Sequence, residues 1–191
     1  STVELFNGDV SLGTTTADET TGAYTITPAE LSDGDYSLTV TATDAAGNIS
    51  AASDALSMTV DATAPAQPAI TTTTTLTSDA TPTIEGTAEA GSTVTLLSSG
   101  VAIGTTTANG DGQFSITTST LADSNYVLTV TATDAAGNIS AASSALNITV
   151  DTTAPAKPAI TTTTALTNDS TPAIEGVAEA GSTVTLFVDG E

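Results

Sequence analysis

The 191-residue chain contains no cysteine, no histidine and no tryptophan, and its only basic residue is Lys157. Without cysteine there is no disulfide framework and no thiolate metal site. The 22 acidic residues leave a formal net charge of −21. A chain with a single cationic side chain cannot replace the counterions of a nucleic acid, so nucleic-acid binding is excluded as a function. The acidic balance instead favours divalent cations.

Long hydrophobic runs and aromatic residues are also scarce. No run of about 18 apolar residues is present, and that is the length needed to span a bilayer. We therefore predict no membrane insertion. Aromatic residues make up only 3% of the chain, which points to a small hydrophobic core.

Instead, the chain has a tandem repeat with a period of about 90 residues. Residues 38–50 recur unchanged as residues 128–140, and residues 61–70 return as residues 151–160 with two substitutions. A long period indicates structural units stacked in series, each near the lower size limit for a self-sufficient core. Near-identity between units argues against a unique catalytic site, so we predict that the chain is not an enzyme.

Strands are indicated by alternation of apolar and polar residues, rich in threonine and valine. Turn signals separate these segments, and no segment combines helical capping with a 3.6-residue period. The predicted strands of one unit are A near 69–75, B 81–88, C 92–98, D 101–107, E 113–118, F 125–133 and G 142–150. Seven short strands in about 90 residues predict an all-β fold of tandem immunoglobulin-like sandwiches.

The proline-rich segment 64–68 marks the boundary between units, because proline at alternate positions favours a stiff extended connector. This boundary predicts a complete domain at 65–154. Residues 1–64 are predicted to lack strands A and B. Residues 155–191 are predicted to supply strands A and B and the start of C. We refer to these segments as the first, middle and third repeats.

Four motifs carry a family resemblance. Residues 81–94 read Thr-Pro-x-Ile-Glu-Gly-x-Ala-Glu-Ala-Gly-Ser-Thr-Val, residues 121–126 read Leu-x-Asp-x-x-Tyr, residues 131–138 read Thr-Ala-Thr-Asp-Ala-Ala-Gly-Asn, and residues 60–65 read Val-Asp-x-Thr-Ala-Pro. Together they resemble the bacterial Ig-like repeats in the shafts of giant type 1-secreted, biofilm-associated adhesins. The resemblance implies a calcium-stiffened stalk at the bacterial cell surface that supports adhesion or biofilm formation.

Sandwich topology predicts which acidic residues meet. Successive loops of an antiparallel sandwich alternate between its two ends, so the B–C and F–G loops share one end. Glu89 lies in the first loop, Asp134 and Asn138 bracket the second, and Asp61 leads into this end from the preceding unit. Three carboxylates and an amide oxygen suit calcium, and without a cation the carboxylates would repel one another.

The other repeats extend this candidate calcium site. The equivalent residues are Asp151, Glu179, Asp44 and Asn48, and Glu85 and Glu175 are mid-strand candidates beside the same motif. The alternative is that Asp134 to Asn138 form only a turn and that Glu85 faces solvent. Asp79 and Asp123 are assigned to the opposite end as solvated turn residues.

Three functions remain open at this point. The leading one is an adhesin stalk segment, secreted or at the cell surface, in which neighbouring repeats are the partners. The second is a fibre subunit that associates head to tail, with residues 155–181 of one copy supplying the strands missing from residues 1–64 of the next. In that case Asp151 and Glu179 would meet the next copy's Asp44 and Asn48. The alternative to this pairing is that the chain is a window from a longer array. The third function is a glycan- or protein-binding module.

Overall fold

The computed structural model describes residues 1–188, and every regular element in that range is a β-strand. Within those residues, the search for a helix long and apolar enough to cross a bilayer finds none. The first repeat contains β1 (Thr2–Asn7), β2 (Val10–Thr16), β3 (Gly34–Thr43) and β4 (Leu56–Val60). The middle repeat contains β5 (Ala69–Ile70), β6 (Leu76–Thr77), β7 (Thr83–Thr87), β8 (Thr93–Ser98), β9 (Val101–Thr107), β10 (Gln113–Thr117), β11 (Ser124–Thr133) and β12 (Leu146–Val150). The third repeat contains β13 (Ala159–Ile160) and β14 (Gly176–Val177).

The middle repeat is a two-sheet sandwich, which confirms the predicted fold class. One sheet has the order β10-β7-β5, and the other has the order β6-β12-β11-β8-β9. Alternate residues of these strands point between the sheets. The buried residues so formed are Ile84, Val94, Leu96, Phe114, Ile116, Leu128, Val130 and Ile148.

Predicted strand A is divided between the two sheets. β5 pairs antiparallel with β7, whereas β6 runs parallel to β12. Between them the Thr72 hydroxyl accepts a hydrogen bond from the Glu85 amide at 2.7 Å. A side chain thus takes the place of a backbone acceptor. The five threonines at residues 71–75 cross from one sheet to the other.

Predicted strand G begins later than expected for a similar reason. The hydroxyls of Ser140 and Ser143 accept hydrogen bonds from the amides of Ala132 and Val130, at 2.9 and 3.0 Å. These serine side chains replace backbone carbonyls along β11, so the regular ladder starts only at Leu146.

The first and third repeats contain one sheet each. The first has the order β2-β1-β3-β4, and the third is the pair β13-β14. Residues 23–27, the counterpart of β10, form no strand, and neither do residues 182–188, the counterpart of β8. Their sequences have the strand pattern, but in the middle repeat β10 pairs with β7 and β8 with β9 and β11. A strand requires such partners.

A tyrosine fixes the loop before β3 and before β11. The Tyr126 hydroxyl donates to the Ala122 carbonyl at 3.0 Å, and the Tyr36 hydroxyl donates to the Ser32 carbonyl at 2.8 Å. This is the tyrosine corner of immunoglobulin-like sandwiches. It holds in place the two loops, residues 28–33 and 118–123, that reach the connections between repeats.

Candidate joint between repeats

The connection between the first and middle repeats, residues 61–68, is called the first linker below. The first repeat holds its start through Asp33, whose carboxylate accepts hydrogen bonds from the Ala62 amide at 2.8 Å and from the Thr63 hydroxyl. The Asp61 carboxylate accepts from the Thr63 amide at 3.1 Å. The linker is therefore anchored to the repeat it leaves.

The middle repeat holds the same linker from the other side. The Asn138 side-chain amide donates to the Asp61 carbonyl at 3.0 Å. Farther along, the Gln67 side-chain amide donates to the Ala142 carbonyl at 2.5 Å. Contacts from both repeats restrict the rotation of a linker that proline already stiffens.

The second linker, residues 151–158, is anchored in the same way. The Asp123 carboxylate accepts from the Thr152 amide at 2.9 Å and from the hydroxyls of Thr152 and Thr153 at 2.7 and 2.6 Å. In the third repeat the Glu179 carboxylate accepts from the Ala156 amide at 3.2 Å. The anchoring aspartate is a repeated feature of the chain, not a single contact.

The loop from Asp134 to Asn138 forms the turn that its sequence predicts. One oxygen of the Asp134 carboxylate accepts from the amides of Gly137 and Asn138, and the other accepts from the Asn138 side chain at 2.8 Å. Asp44 and Asn48 make the same side-chain bond at 2.8 Å in the first repeat. Asp134 and Asn138 are half-buried, whereas Asp44 and Asn48 are exposed. The difference arises because a linker packs against only the first of these pairs.

The structure brings together part of the predicted calcium site. The Asn138 side-chain amide lies within 3.0 Å of two oxygens, from the Asp134 carboxylate and the Asp61 carbonyl. The Asp61 carboxylate turns instead to Thr63, and Glu89 is exposed. Among residues 1–188, no three acidic side chains come close enough to hold a metal ion together. The expected meeting of three carboxylates is not found in this arrangement.

Across the described part of the chain, the remaining predicted calcium ligands make no hydrogen bond to the group formed by Asp61, Asp134 and Asn138. Glu85 and Glu175 are exposed, and Glu85 is on the outer face of β7. Asp151 repeats the role of Asp61, because its carboxylate accepts from the Thr153 amide at 3.1 Å. Asp79 caps a local turn by accepting from the Thr81 amide at 2.8 Å, as predicted.

Sequence reasoning missed the linker contacts of Asp33 and Asp123. Asp123 is a turn residue, but its carboxylate binds the outgoing linker rather than solvent alone. Two signals point to this role. The Leu-x-Asp-x-x-Tyr motif places an aspartate at the same position in both repeats. The last strand of a sandwich also finishes at the same end as the loop formed by residues 118–123.

These hydrogen bonds change the acidity of the anchoring residues. The hydroxyls of Thr152 and Thr153, followed by the Thr152 amide, hold the pKa of the Asp123 carboxyl below its ordinary value. The Thr63 hydroxyl and the Ala62 amide lower the pKa of Asp33 in the same way. The pKa of Asp134 is lowered chiefly by the Asn138 side chain. Each of these bonds favours the ionised carboxylate.

Acidification should therefore release the linkers. A carboxyl whose pKa is lower in the folded chain stabilises the fold above the unfolded value of about 3.9, and this contribution is lost as the pH falls through the folded pKa. We expect the amide signals of Ala62 and Thr152 in NMR spectra to stay constant at neutral pH and to shift with midpoints below about 3.9. In Asp123→Asn the Thr152 signal should lose this titration while that of Ala62 keeps it. A wild-type midpoint at or above the ordinary value would contradict the assignment.

Comparison with known proteins agrees with the fold. The family described as "Bacterial Ig-like domain" matches residues 1–62 and 66–152. Exoglucanase B of Cellulomonas fimi is 35% identical over 168 residues, which cover 82% of this chain and 15% of the enzyme. Chitinase A1 of Niallia circulans is 38% identical over 122 residues, which cover 59% of this chain and 17% of the enzyme.

A solved structure has the same fold. The fibronectin(III)-like modules of Clostridium thermocellum CbhA superpose with a TM-score of 0.50 at 22% identity, over 78% of this chain and 77% of that one. The chain spans less than a fifth of each curated relative. The family match covers both the first and the middle repeat and leaves out only residues 63–65 of the connection between them. The chain therefore belongs to the bacterial Ig-like domain family.

Proposed function

We infer that the chain is a non-catalytic structural spacer, a section of the stalk of a bacterial surface adhesin that is exported by type 1 secretion. The observation that carries this proposal is the anchoring of both linkers by side chains from the repeats they connect. Such joints limit bending, so a series of repeats acts as a rod. A rod of this kind holds a distal binding part away from the cell.

Composition supports an extracellular spacer. The net charge of −21 keeps the chain soluble and repels other anionic surfaces. The absence of cysteine makes stability independent of the redox state of the surroundings. Repeated near-identical units lengthen a stalk without adding a new binding specificity.

Calcium would stiffen these joints further. The oxygens near Asn138 come from a carboxylate and a backbone carbonyl, which are ligands of the kind that calcium takes. Asp134, the Asp61 carbonyl and Asn138, with its side-chain amide turned to present its oxygen, would hold the ion, and Glu89 in the B–C loop is a further candidate carboxylate. A bound cation supplies positive charge that offsets the repulsion between the acidic repeats. The hydrogen bonds of Asp33 and Gln67 hold the linker in place with or without it.

Calcium binding is expected to stabilise the chain and narrow its range of shapes. A ligand at a hundredfold excess over its Kd adds about 2.7 kcal/mol for each site. The melting temperature and the maximum dimension from small-angle scattering should both rise when calcium replaces chelator. Asp134→Asn should abolish the response, while Asp9→Asn, at an exposed hairpin in the first repeat, should retain it. If the wild-type chain responds no more than Asp134→Asn, the calcium proposal is wrong and only the hydrogen-bonded joint remains.

A second candidate function is a spacer inside an exported polysaccharide-degrading enzyme. It is favoured by the two curated relatives, an exoglucanase and a chitinase in which matching segments make up less than a fifth of the length. In that setting the repeats would separate a catalytic part from other parts. Binding assays of the isolated chain on cellulose, chitin and a glycan array distinguish the two spacer functions from a glycan-binding module. A spacer gives no binding on any of these surfaces, whereas saturable binding would favour the module.

A further inference from the structure

The loop between β9 and β10, residues 108–112, has the sequence Asn109-Gly110-Asp111 at its tip. These three residues are exposed and lie outside the strands. The side-chain amide of an asparagine is open to attack by the backbone nitrogen of the next residue when that residue is glycine, because glycine has no Cβ to hinder the approach. The spacer function makes no use of this tip.

Two backbone amides hold the side-chain oxygen of Asn109. Its Oδ1 atom accepts hydrogen bonds from the Asp111 amide at 3.0 Å and from the Gln113 amide at 2.9 Å. Attack on the neighbouring carbon, Cγ, would turn this oxygen into an oxyanion. Donors that are already in place on an oxygen stabilise the negative charge that develops there. The side-chain amide of Asn109 is thus activated by the fold of its own loop.

The backbone nitrogen of Gly110 is the nucleophile that this amide faces along the chain. Among residues 1–188 its N–H donates no hydrogen bond, although the amides of Asp111, Gly112 and Gln113 all do. A Cβ placed on Gly110 would meet nothing within 4 Å. The nitrogen is therefore accessible to water, and there is room for a ring to form at the tip.

We propose that Asn109 is a site of spontaneous deamidation through a cyclic imide. Water or hydroxide takes the proton from the Gly110 N–H, the nitrogen bonds to Cγ of Asn109, and the side-chain nitrogen leaves as ammonia. Water then opens the five-membered ring. Opening at Cγ gives aspartate, whereas opening at the backbone carbonyl gives isoaspartate. This modification goes beyond the spacer function and does not depend on it.

The aspartate product fits the loop without rearrangement. In the first repeat the residue at the equivalent position is already an aspartate, Asp18, since its amide donates to the Ala23 carbonyl as the Asn109 amide donates to that of Gln113. The Asp18 carboxylate accepts from the Thr20 and Thr21 amides at 3.0 and 2.7 Å. Aspartate at position 109 would keep its two donors in the same way. The reaction therefore adds a negative charge and retains the loop.

The isoaspartate product does not fit. The β9–β10 loop packs against the B–C loop, where the amides of Ala88 and Gly91 donate to the carbonyls of Gly112 and Ala108 at 2.8 and 3.0 Å. A Cβ on Gly112 would lie only 2.6 Å from the Ala88 carbonyl oxygen, so the two loops are closely packed. Isoaspartate lengthens the backbone by a carbon atom. We expect it to break these contacts between the loops.

The first repeat provides an internal comparison, because residues 7–9 are also Asn-Gly-Asp. The Oδ1 atom of Asn7 accepts only one hydrogen bond, from the Ser37 amide at 3.1 Å. Sequence alone predicts equal rates at the two asparagines. The structure predicts that Asn109 reacts about tenfold faster, since one further hydrogen bond to a developing charge is worth about that factor.

Incubation of the full chain at mildly alkaline pH tests the proposal. Peptide mapping by mass spectrometry, after digestion at acidic pH, follows aspartate and isoaspartate at both positions. We expect Asn109 to convert about tenfold faster than Asn7 in the folded chain, and the two to convert equally in guanidinium chloride, where the donors are lost. Equal rates in the folded chain would overturn the proposal. A difference that persists in denaturant would also overturn it, because the cause would then be sequence and not structure.

Gly110→Ala tests the identity of the nucleophile. Gly110 does not adopt a positive φ and has open space around it, so alanine fits, and circular dichroism checks that the fold is kept. The added methyl group hinders attack by the backbone nitrogen, and the rate at Asn109 should fall below that at Asn7. An unchanged rate at Asn109 would show direct hydrolysis of the side chain and would overturn the cyclic route.

Discussion

Replacing Leu96 with alanine should lower the free energy of unfolding of the middle repeat by about 2–5 kcal/mol. Leu96 is fully buried between the two sheets, and its removal leaves a cavity that close-packed neighbours fill only in part. A domain of about 90 residues has only a small free energy of unfolding, so a loss of this size is a large part of it. Urea denaturation followed by circular dichroism should therefore show an earlier transition for the middle repeat.

The matched control is the same substitution in the third repeat. Leu186 occupies the equivalent position in the same Thr-Val-Thr-Leu sequence, but it is 61% exposed. Leu186→Ala should change stability by no more than about 0.5 kcal/mol, as is usual for surface substitutions. Equal effects of the two variants would mean that the sandwich core has been assigned incorrectly.

Asp33→Ala should convert the first linker from a stiff joint into a flexible one. The alanine side chain has no acceptor, so the bonds from the Ala62 amide and the Thr63 hydroxyl are both lost. Backbone order parameters from NMR relaxation should fall from about 0.85 to below about 0.6 across residues 61–64.

Asp35→Ala provides a control with the same change in charge and side-chain size. Asp35 lies two residues away and accepts from the Thr59 hydroxyl at 2.6 Å, a bond between β3 and β4 inside the first repeat. The linker should keep its order in this variant. Equal loosening by both substitutions would point to a general charge effect and not to an anchor.

Much of the fold could be predicted from the sequence because each strand is marked by a local pattern of residues. The alternation of Val94 and Leu96 with threonine, and the turn signals between strands, depend only on neighbouring residues. Residues 23–27 show the limit of this reasoning. They have the pattern of β10 but form no strand, since β7, the strand that pairs with β10 in the middle repeat, has no counterpart in the first repeat.

The candidate joint was predicted less completely. Topology placed Asp61 near Asp134 and Asn138, and the structure brings them together. It could not predict that the Asp61 carboxylate would turn to the Thr63 amide, because an amide two residues away competes with any more distant partner. The linker contacts of Asp123 were missed for a related reason: its partners, Thr152 and Thr153, are separated from it by two strands.

The most direct test of the stiff joint uses the absence of native cysteine, which lets two introduced cysteines be spin-labelled without background. Ser11 in β2 and Ala102 in β9 are exposed positions in the first and middle repeats. With calcium present, the distance distribution between labels at these two positions should be a single narrow peak. The same pair in Asp33→Ala should give a broad distribution. A broad distribution in the otherwise unaltered chain would contradict the stiff joint, and with it the spacer function.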